Sequence, residues 1–278
     1  DTYMRIFESY MGEPCFAALL YPERREQIEA AIRETVDFDL DKVSGAESFK
    51  HPQLNSNISH AEREQLLSKE SRVKSQPNRL DFARLLDSLE HFLDDVYSAV
   101  RWDQYKVFAF TTSHQQFIPT ILICKRLKHD YPDVPIFLGG ALMTRNIPRA
   151  AMELFDVIDY IVSGEGEISD SELLATLTAV QGSLPIADVK GVYWRDKTGA
   201  IIWNGKRELI EDLDHLPIPD YEDFFLHPLK GKRHSVFPKI TLEASRACIW
   251  GKCVYCNLNL QWDGRYRRKS HKRVLDEI

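Results

Sequence analysis

Three cysteines, Cys248, Cys253 and Cys256, fall within the stretch ACIWGKCVYC, while the other two, Cys15 and Cys124, lie far upstream. Thiolates are ligands for iron–sulfur clusters and for zinc, and short spacings let several sulfurs converge on one centre. Cys253 and Cys256 have the i, i+3 spacing of a tight metal-binding turn, and Gly251 offers a backbone conformation that other residues resist. A structural zinc site asks for four ligands, often two such pairs, so His234 or His271 would have to complete the set. Three thiols given to a 4Fe–4S cluster would leave one iron open to an exogenous ligand. Ordinary reduced thiols in a turn are the third reading, and spacing alone points to a metal without choosing iron over zinc.

The rest of the chain must hold that loop. Its 278 residues suffice for about two domains. With 44% hydrophobic and 28% charged residues the composition is that of an ordinary globular protein. No apolar run approaches the roughly 20 residues needed to cross a membrane, and no secretory signal opens the chain. An odd cysteine count with three of them bunched argues against a disulfide framework, so a reducing cytoplasm is expected. The net charge of −6 supplies no general attraction for nucleic acid.

Residues 1–104 read as helices broken by a polar stretch. In YPERREQIEAAIRETV, Pro22 suits a helix start, and Ile28, Ala31, Ile32 and Val36 share a face. In DFARLLDSLEHFLDDVYSAV, Phe82, Leu85, Leu86, Leu89, Leu93 and Val96 form a stripe. From Lys106 the pattern changes to short apolar runs, KVFAFTTS, PIFLGG and VIDYIVSGEGE, separated by helix-length segments. That alternation predicts an α/β domain over residues 105–188, a doubly wound, Rossmann-like parallel sheet with helices on both faces. Such domains bind ligands at the carboxyl ends of their strands, which singles out Thr111–Gln116, Gly139–Thr144 and Ser163–Glu167. Residues 189–237 read as a hairpin turning at Gly199 and a proline-rich acidic linker. From residue 238, KITLEAS predicts a strand running into the cysteine loop, and a helix starts at Ser270 with Val274, Leu275 and Ile278 on one side. A strand, a loop and an opening helix do not complete a domain, so the chain reads as a truncated one.

The stretch LEASRACIWGKCVYCNLNLQWDGRYRRKSHKRVLDEI resembles the first barrel strand, cluster loop and first helix of the radical S-adenosylmethionine (SAM) superfamily. The resemblance implies that Cys248, Cys253 and Cys256 ligate three irons of a 4Fe–4S cluster, that SAM chelates the fourth, and that Tyr255 lies near the SAM adenine. The usual spacing has three and then two intervening residues; this chain has four and then two. Longer first gaps occur in the subgroup that matures ribosomally made peptides, whose phrases GEPCFAALLYPE, WGKCVYCNLN and DLDHLPIPDYEDF also resemble. Upstream, FLGGALMT followed by FDVIDYIVSGEGE resembles the cobalamin-binding domain that precedes the barrel in cobalamin-dependent members.

Under that resemblance the cobalamin contacts are Thr112, Ser113, Gln116, Gly139, Gly140, Ala141, Gly164, Glu165, Gly166 and Glu167. The glycines would let a bulky corrin approach the backbone; their plainer role is to close tight β–α turns. Thr112, Ser113 and Gln116 would hydrogen-bond the ligand, or cap the following helix. The stretch TSHQQF lacks the Asp and Gly that accompany a cobalt-ligating histidine, so His114 is not expected to bind cobalt. Glu243, Arg246 and the basic run Arg265–Lys269 would contact SAM or substrate, or form a solvated charged face.

The implied activity is a C-methyltransferase acting on a peptide or natural product, served by an electron donor such as flavodoxin or ferredoxin. Cobalamin would carry the methyl group, and SAM would recharge it and yield a 5′-deoxyadenosyl radical. A radical abstracts hydrogen without a general base, so no catalytic triad or carboxylate pair is needed. The alternatives are a cobalamin-dependent rearrangement without net methylation, and a non-enzymatic metal-binding module with an α/β ligand domain.

Overall fold

A computed structural model of the chain describes residues 12–33, 81–113, 115–222, 240–254, 256 and 262–278. His114, Tyr255 and the polar stretch from Asp41 to Asn78 lie outside these residues. The chain forms two compact units, one from Asp1–Tyr105 with Ser113–Asp130, the other from Lys106–Thr112 with Tyr131–Ile278.

The first unit is helical. Helix α1 (Gly12–Leu20) buries Cys15, Phe16 and Ala18. A 3₁₀ turn at Pro22–Arg24 opens helical residues 25–33, where Ile32 is fully buried. Helix α2 (Phe82–Ala99) starts at Asp81, whose carboxylate accepts the Arg84 N–H at 3.0 Å. Its stripe Phe82, Leu85, Leu86, Leu89 and Leu93 is buried, at roughly 2 kcal/mol of stabilisation per side chain; Val96, at the stripe's far end, is exposed. Helix α3 (Phe117–Asp130) begins where Glu13 accepts the N–H groups of Phe117 at 2.6 Å and Ile118 at 3.2 Å. One carboxylate thus satisfies two donors that a helix start leaves unpaired.

The second unit is a five-stranded sheet: β1 (Phe108–Thr111), β2 (Ile136–Gly139), β3 (Tyr160–Val162), β4 (Val192–Arg195) and β5 (Ile201–Trp203), in that spatial order. β1, β2 and β3 are parallel, in the register Phe110↔Leu138↔Ile161. Ile136, Phe137 and Leu138 are all buried, as a parallel strand covered on both faces requires. Helices α4 (Ile147–Leu154) and α5 (Gly166–Leu177) precede and follow β3. The α/β class read from the sequence is what forms.

The hairpin at Gly199 (φ +85) does more than connect: β4 pairs antiparallel with β3, so both hairpin strands extend the sheet. Its turn is fixed by Asp196, whose carboxylate accepts from Thr198 N–H, Thr198 hydroxyl and Ala200 N–H at 2.6–3.0 Å. Phe137, Val162, Leu173, Val189 and Val192 make one buried cluster beneath β2, β3 and α5. Of KITLEAS, only Ser245 joins a described strand: β6 (Ser245–Arg246) pairs antiparallel with β7 (Arg267–Arg268), closing the cysteine loop at its base. Helix α6 (His271–Asp276) is capped by Ser270, which accepts the Arg273 N–H at 3.1 Å. Val274 is half-buried, while Leu275 and Ile278 are exposed.

Candidate functional site

The three loop thiols are all partly exposed and free of disulfides. Cys253 and Cys256 form a turn, with the Cys256 N–H donating to the Cys253 carbonyl at 3.2 Å. Backbone N–H groups of Gly251 and Trp250 donate to the Cys248 sulfur and hold its thiol below the ordinary range, favouring thiolate. Gly251 adopts φ +60, so this donor is aimed by the residue type expected to permit it. Ile249, Trp250 and Val254 stand exposed between the cysteines. The upstream thiols are of another kind: Cys15 and Cys124 are fully buried, and burial pushes Cys15 up to about 11.

The donor set therefore fits a thiolate-ligated centre in its chemistry. Among the described residues, though, no three His, Cys, Asp or Glu side chains gather around a common point that would hold a metal. His271, proposed to complete a zinc set, begins α6 and is exposed; His234 lies outside the described residues.

The strands at the loop base carry a buried charge network. Arg246 Nη1 donates to Glu165 Oε1 at 2.7 Å, and its other nitrogens reach Glu243 at 2.9–3.0 Å and Glu167. Arg267 Nη1 donates to both Glu165 oxygens, at 2.8 and 3.0 Å, and to the Ile210 carbonyl at 2.6 Å. The Ile210 N–H completes the set by donating to Glu165 Oε2 at 2.6 Å. Exposure of the Arg246, Arg267 and Glu165 side chains is 7%, 6% and 2%. Burial raises the Glu165 pKa, but the bonds from Arg246, Ile210 and Arg267 outweigh it and hold the carboxyl below the ordinary range. The Trp262 ring lies under both guanidinium groups, 5.6 Å from Arg246 and 5.7 Å from Arg267. Arg267 Nε and Nη2 are buried without a hydrogen-bond partner among the described residues, so the ring is the favourable contact that remains to them.

A second cluster follows directly. Lys269, 5% exposed, donates to both Glu277 oxygens at 2.8 Å, and Arg273 binds the same carboxylate at 2.8 Å. A cavity of about 200 Å³ separates the clusters, lined by Glu167, Glu243, Arg246, Lys269 and Glu277 with linker residues such as Leu216 and Tyr221. It is smaller than the usual ligand pocket.

The sequence-selected residues of the strand ends separate by role. Thr112 is fully buried; its N–H and hydroxyl both donate to the Gly139 carbonyl, at 2.7 and 2.8 Å, tying β1 to β2. Gly140 (φ +100) is obligatory, because a Cβ there would lie 2.5 Å from the Thr112 carbonyl oxygen. Ala141 is exposed beside it. By contrast a Cβ at Gly139 or at Gly164 (φ +105) meets nothing within 4 Å. Two strand ends of the parallel sheet thus present bare backbone to open space, the condition a bulky ring system needs. In the helical unit, Gln116 accepts from the Ser113 N–H and hydroxyl, both at 2.9 Å, a local helix-start turn.

In the SGEGE turn, Glu165 is buried and its acceptor capacity is filled, while Glu167 keeps partial exposure beside Arg246. Gly166 packs against Asp170, whose carboxyl oxygen a Cβ would meet at 2.7 Å. The Arg246 and Arg267 pairings, and Trp262 between them, are what sequence reasoning missed. The available signal was an arginine in each strand flanking the loop, since a buried arginine demands a carboxylate partner.

No protein-family model matches the chain. Over 197 residues it is 25% identical to an uncharacterized methyltransferase of Pyrococcus horikoshii, covering 70% of this chain and 41% of that protein. It is also 25% identical over 173 residues to the cytidylyl-2-hydroxyethylphosphonate methyltransferase of Streptomyces wedmorensis, covering 53% of this chain and 31% of that protein. The chain thus spans less than half the length of these curated relatives. Among solved structures, it aligns with the cobalamin-dependent S-adenosylmethionine radical enzyme OxsB, with aqua-cobalamin and S-adenosylmethionine bound, at a TM-score of 0.50 and 18% identity. That alignment covers 66% of this chain and 24% of OxsB, and at such identity the likeness is one of fold.

Proposed function

We propose that this chain is part of a cobalamin-dependent radical SAM methyltransferase acting on carbon, with a peptide or natural product as substrate and a flavodoxin- or ferredoxin-like electron donor. The observation that carries this reading is the placement of the three-thiol loop. Its base strands β6 and β7 are ion-paired to the β3–α5 turn, which follows the carboxyl end of a parallel strand, where α/β sheets commonly take their ligands. The fold likeness to OxsB and the sequence likeness to two methyltransferases support the same reading.

When bound, the cluster would deliver an electron to SAM and the corrin would carry the methyl group. Cys248, Cys253 and Cys256 would hold the cluster, with the Trp250 and Gly251 N–H groups stabilising thiolate at Cys248. Gly139 and Gly164 would admit the corrin to the backbone. Tyr255, by its place in the sequence before Cys256, and Glu243 are assigned to SAM in this proposal. The peptide-maturation subgroup is the finer reading, supported by the four-then-two cysteine spacing and the surrounding phrases. Anaerobic reconstitution tests the cobalamin-dependent radical SAM reading: about four irons per chain and a bound corrinoid band are expected. Stoichiometric zinc with no corrinoid absorption would contradict it.

A further inference from the structure

We infer that Glu165 is the positioning residue of the cysteine loop, fixing both loop ends to the turn between β3 and α5; what the loop holds rests on the function proposed above. The entry strand is held because Arg246, two positions before Cys248, donates to Glu165 Oε1. The exit strand is held because Arg267 donates to both Glu165 oxygens, and Trp262 lies beneath both guanidinium groups. With the Ile210 N–H, Glu165 receives four hydrogen bonds, which fills its two oxygens. Charge-assisted bonds of this kind are directional, so they set a register that apolar contact would leave loose. The carboxylate is itself placed by its backbone: Gly164, just before it, takes φ +105, a conformation that side-chain-bearing residues rarely adopt. A glutamine could not substitute. Either orientation of its amide turns an NH₂ group toward the Arg246, Arg267 or Ile210 donors.

Hydrogen exchange on the full, metal-free chain tests this without iron. Glu165→Gln is expected to speed exchange of the Trp250, Gly251, Cys256 and Lys269 amides, whose N–H groups are bonded in the loop or at its base, by about tenfold while Ile136–Gly139 and Tyr160–Val162 keep their protection. A role confined to overall stability would instead loosen the sheet and the loop together. Unchanged loop exchange, or equal loss in loop and sheet, overturns the inference. Arg246→Lys, which keeps the charge but loses the fork, carries the same expectation if Glu165→Gln fails to fold. After anaerobic reconstitution, a cluster in Glu165→Gln should show a reduced-state EPR signal shifted or broadened from that of the unsubstituted chain. An identical signal overturns positioning. A native chain that takes up no iron contradicts the cluster reading instead, and the exchange result then decides on Glu165 alone.

Discussion

Arg246 and Glu165 stand 81 residues apart in sequence and meet at 2.7 Å, with 7% and 2% of their side chains exposed. Removing Arg246 leaves the buried Glu165 with Arg267 and the Ile210 N–H alone, and takes from Glu167 and Glu243 the guanidinium they share. Arg246→Ala is therefore expected to destabilise the chain by about 3 kcal/mol in urea unfolding. A loss below about 1 kcal/mol would mean that Arg267 alone compensates Glu165.

Asp170 gives a prediction with a sign in pH. Burial, and then the charge of Glu167, push its carboxyl up to about 6 from 3.8, and one oxygen has no hydrogen-bond partner among the described residues. A carboxyl whose folded value is raised contributes its stability fully below pH 3.8 and loses it as pH rises through 6. Asp170→Asn should raise the Tm by a few degrees at pH 7.5 and leave it unchanged near pH 3.5. The gain is about 1 kcal/mol, discounted because solvent reaches part of the side chain. A larger gain at the acid end would reverse the assignment.

The paired glycines after β2 should respond differently to alanine. Gly140→Ala places a Cβ 2.5 Å from a carbonyl oxygen at a positive φ, and a loss of about 3 kcal/mol is expected. Gly139→Ala meets open space, so the Tm should hold within a degree or two. If corrinoid approaches the backbone there, Gly139→Ala should nonetheless weaken hydroxocobalamin binding about tenfold by titration. Unchanged affinity would move the corrin away from β2.

Local features of the fold were legible because they rest on neighbours in sequence. The buried run Ile136–Leu138, the α2 stripe, the Gly199 turn and the Ser270 cap each follow from spacing and residue type. The tight Cys253–Cys256 turn and the positive φ at Gly251 were legible for the same reason. What sequence left dark joins distant segments: β4 pairing with β3, and Glu165 meeting arginines 81 and 102 residues away. No periodicity reports such pairings, so SGEGE read as a ligand turn and the basic run near Arg267 as cofactor contact or solvated face. Gly139 and Gly140 looked equivalent in sequence, and only the Thr112 carbonyl above one of them separates their roles.

The most direct measurement of the central claim is iron and corrinoid content of Cys253→Ala after anaerobic reconstitution with iron, sulfide and hydroxocobalamin. The account predicts that iron falls from about four per chain to near zero while the corrinoid band is retained. Full iron in the variant, or loss of corrinoid together with iron, would contradict a three-thiol cluster loop docked beside a separate corrin site.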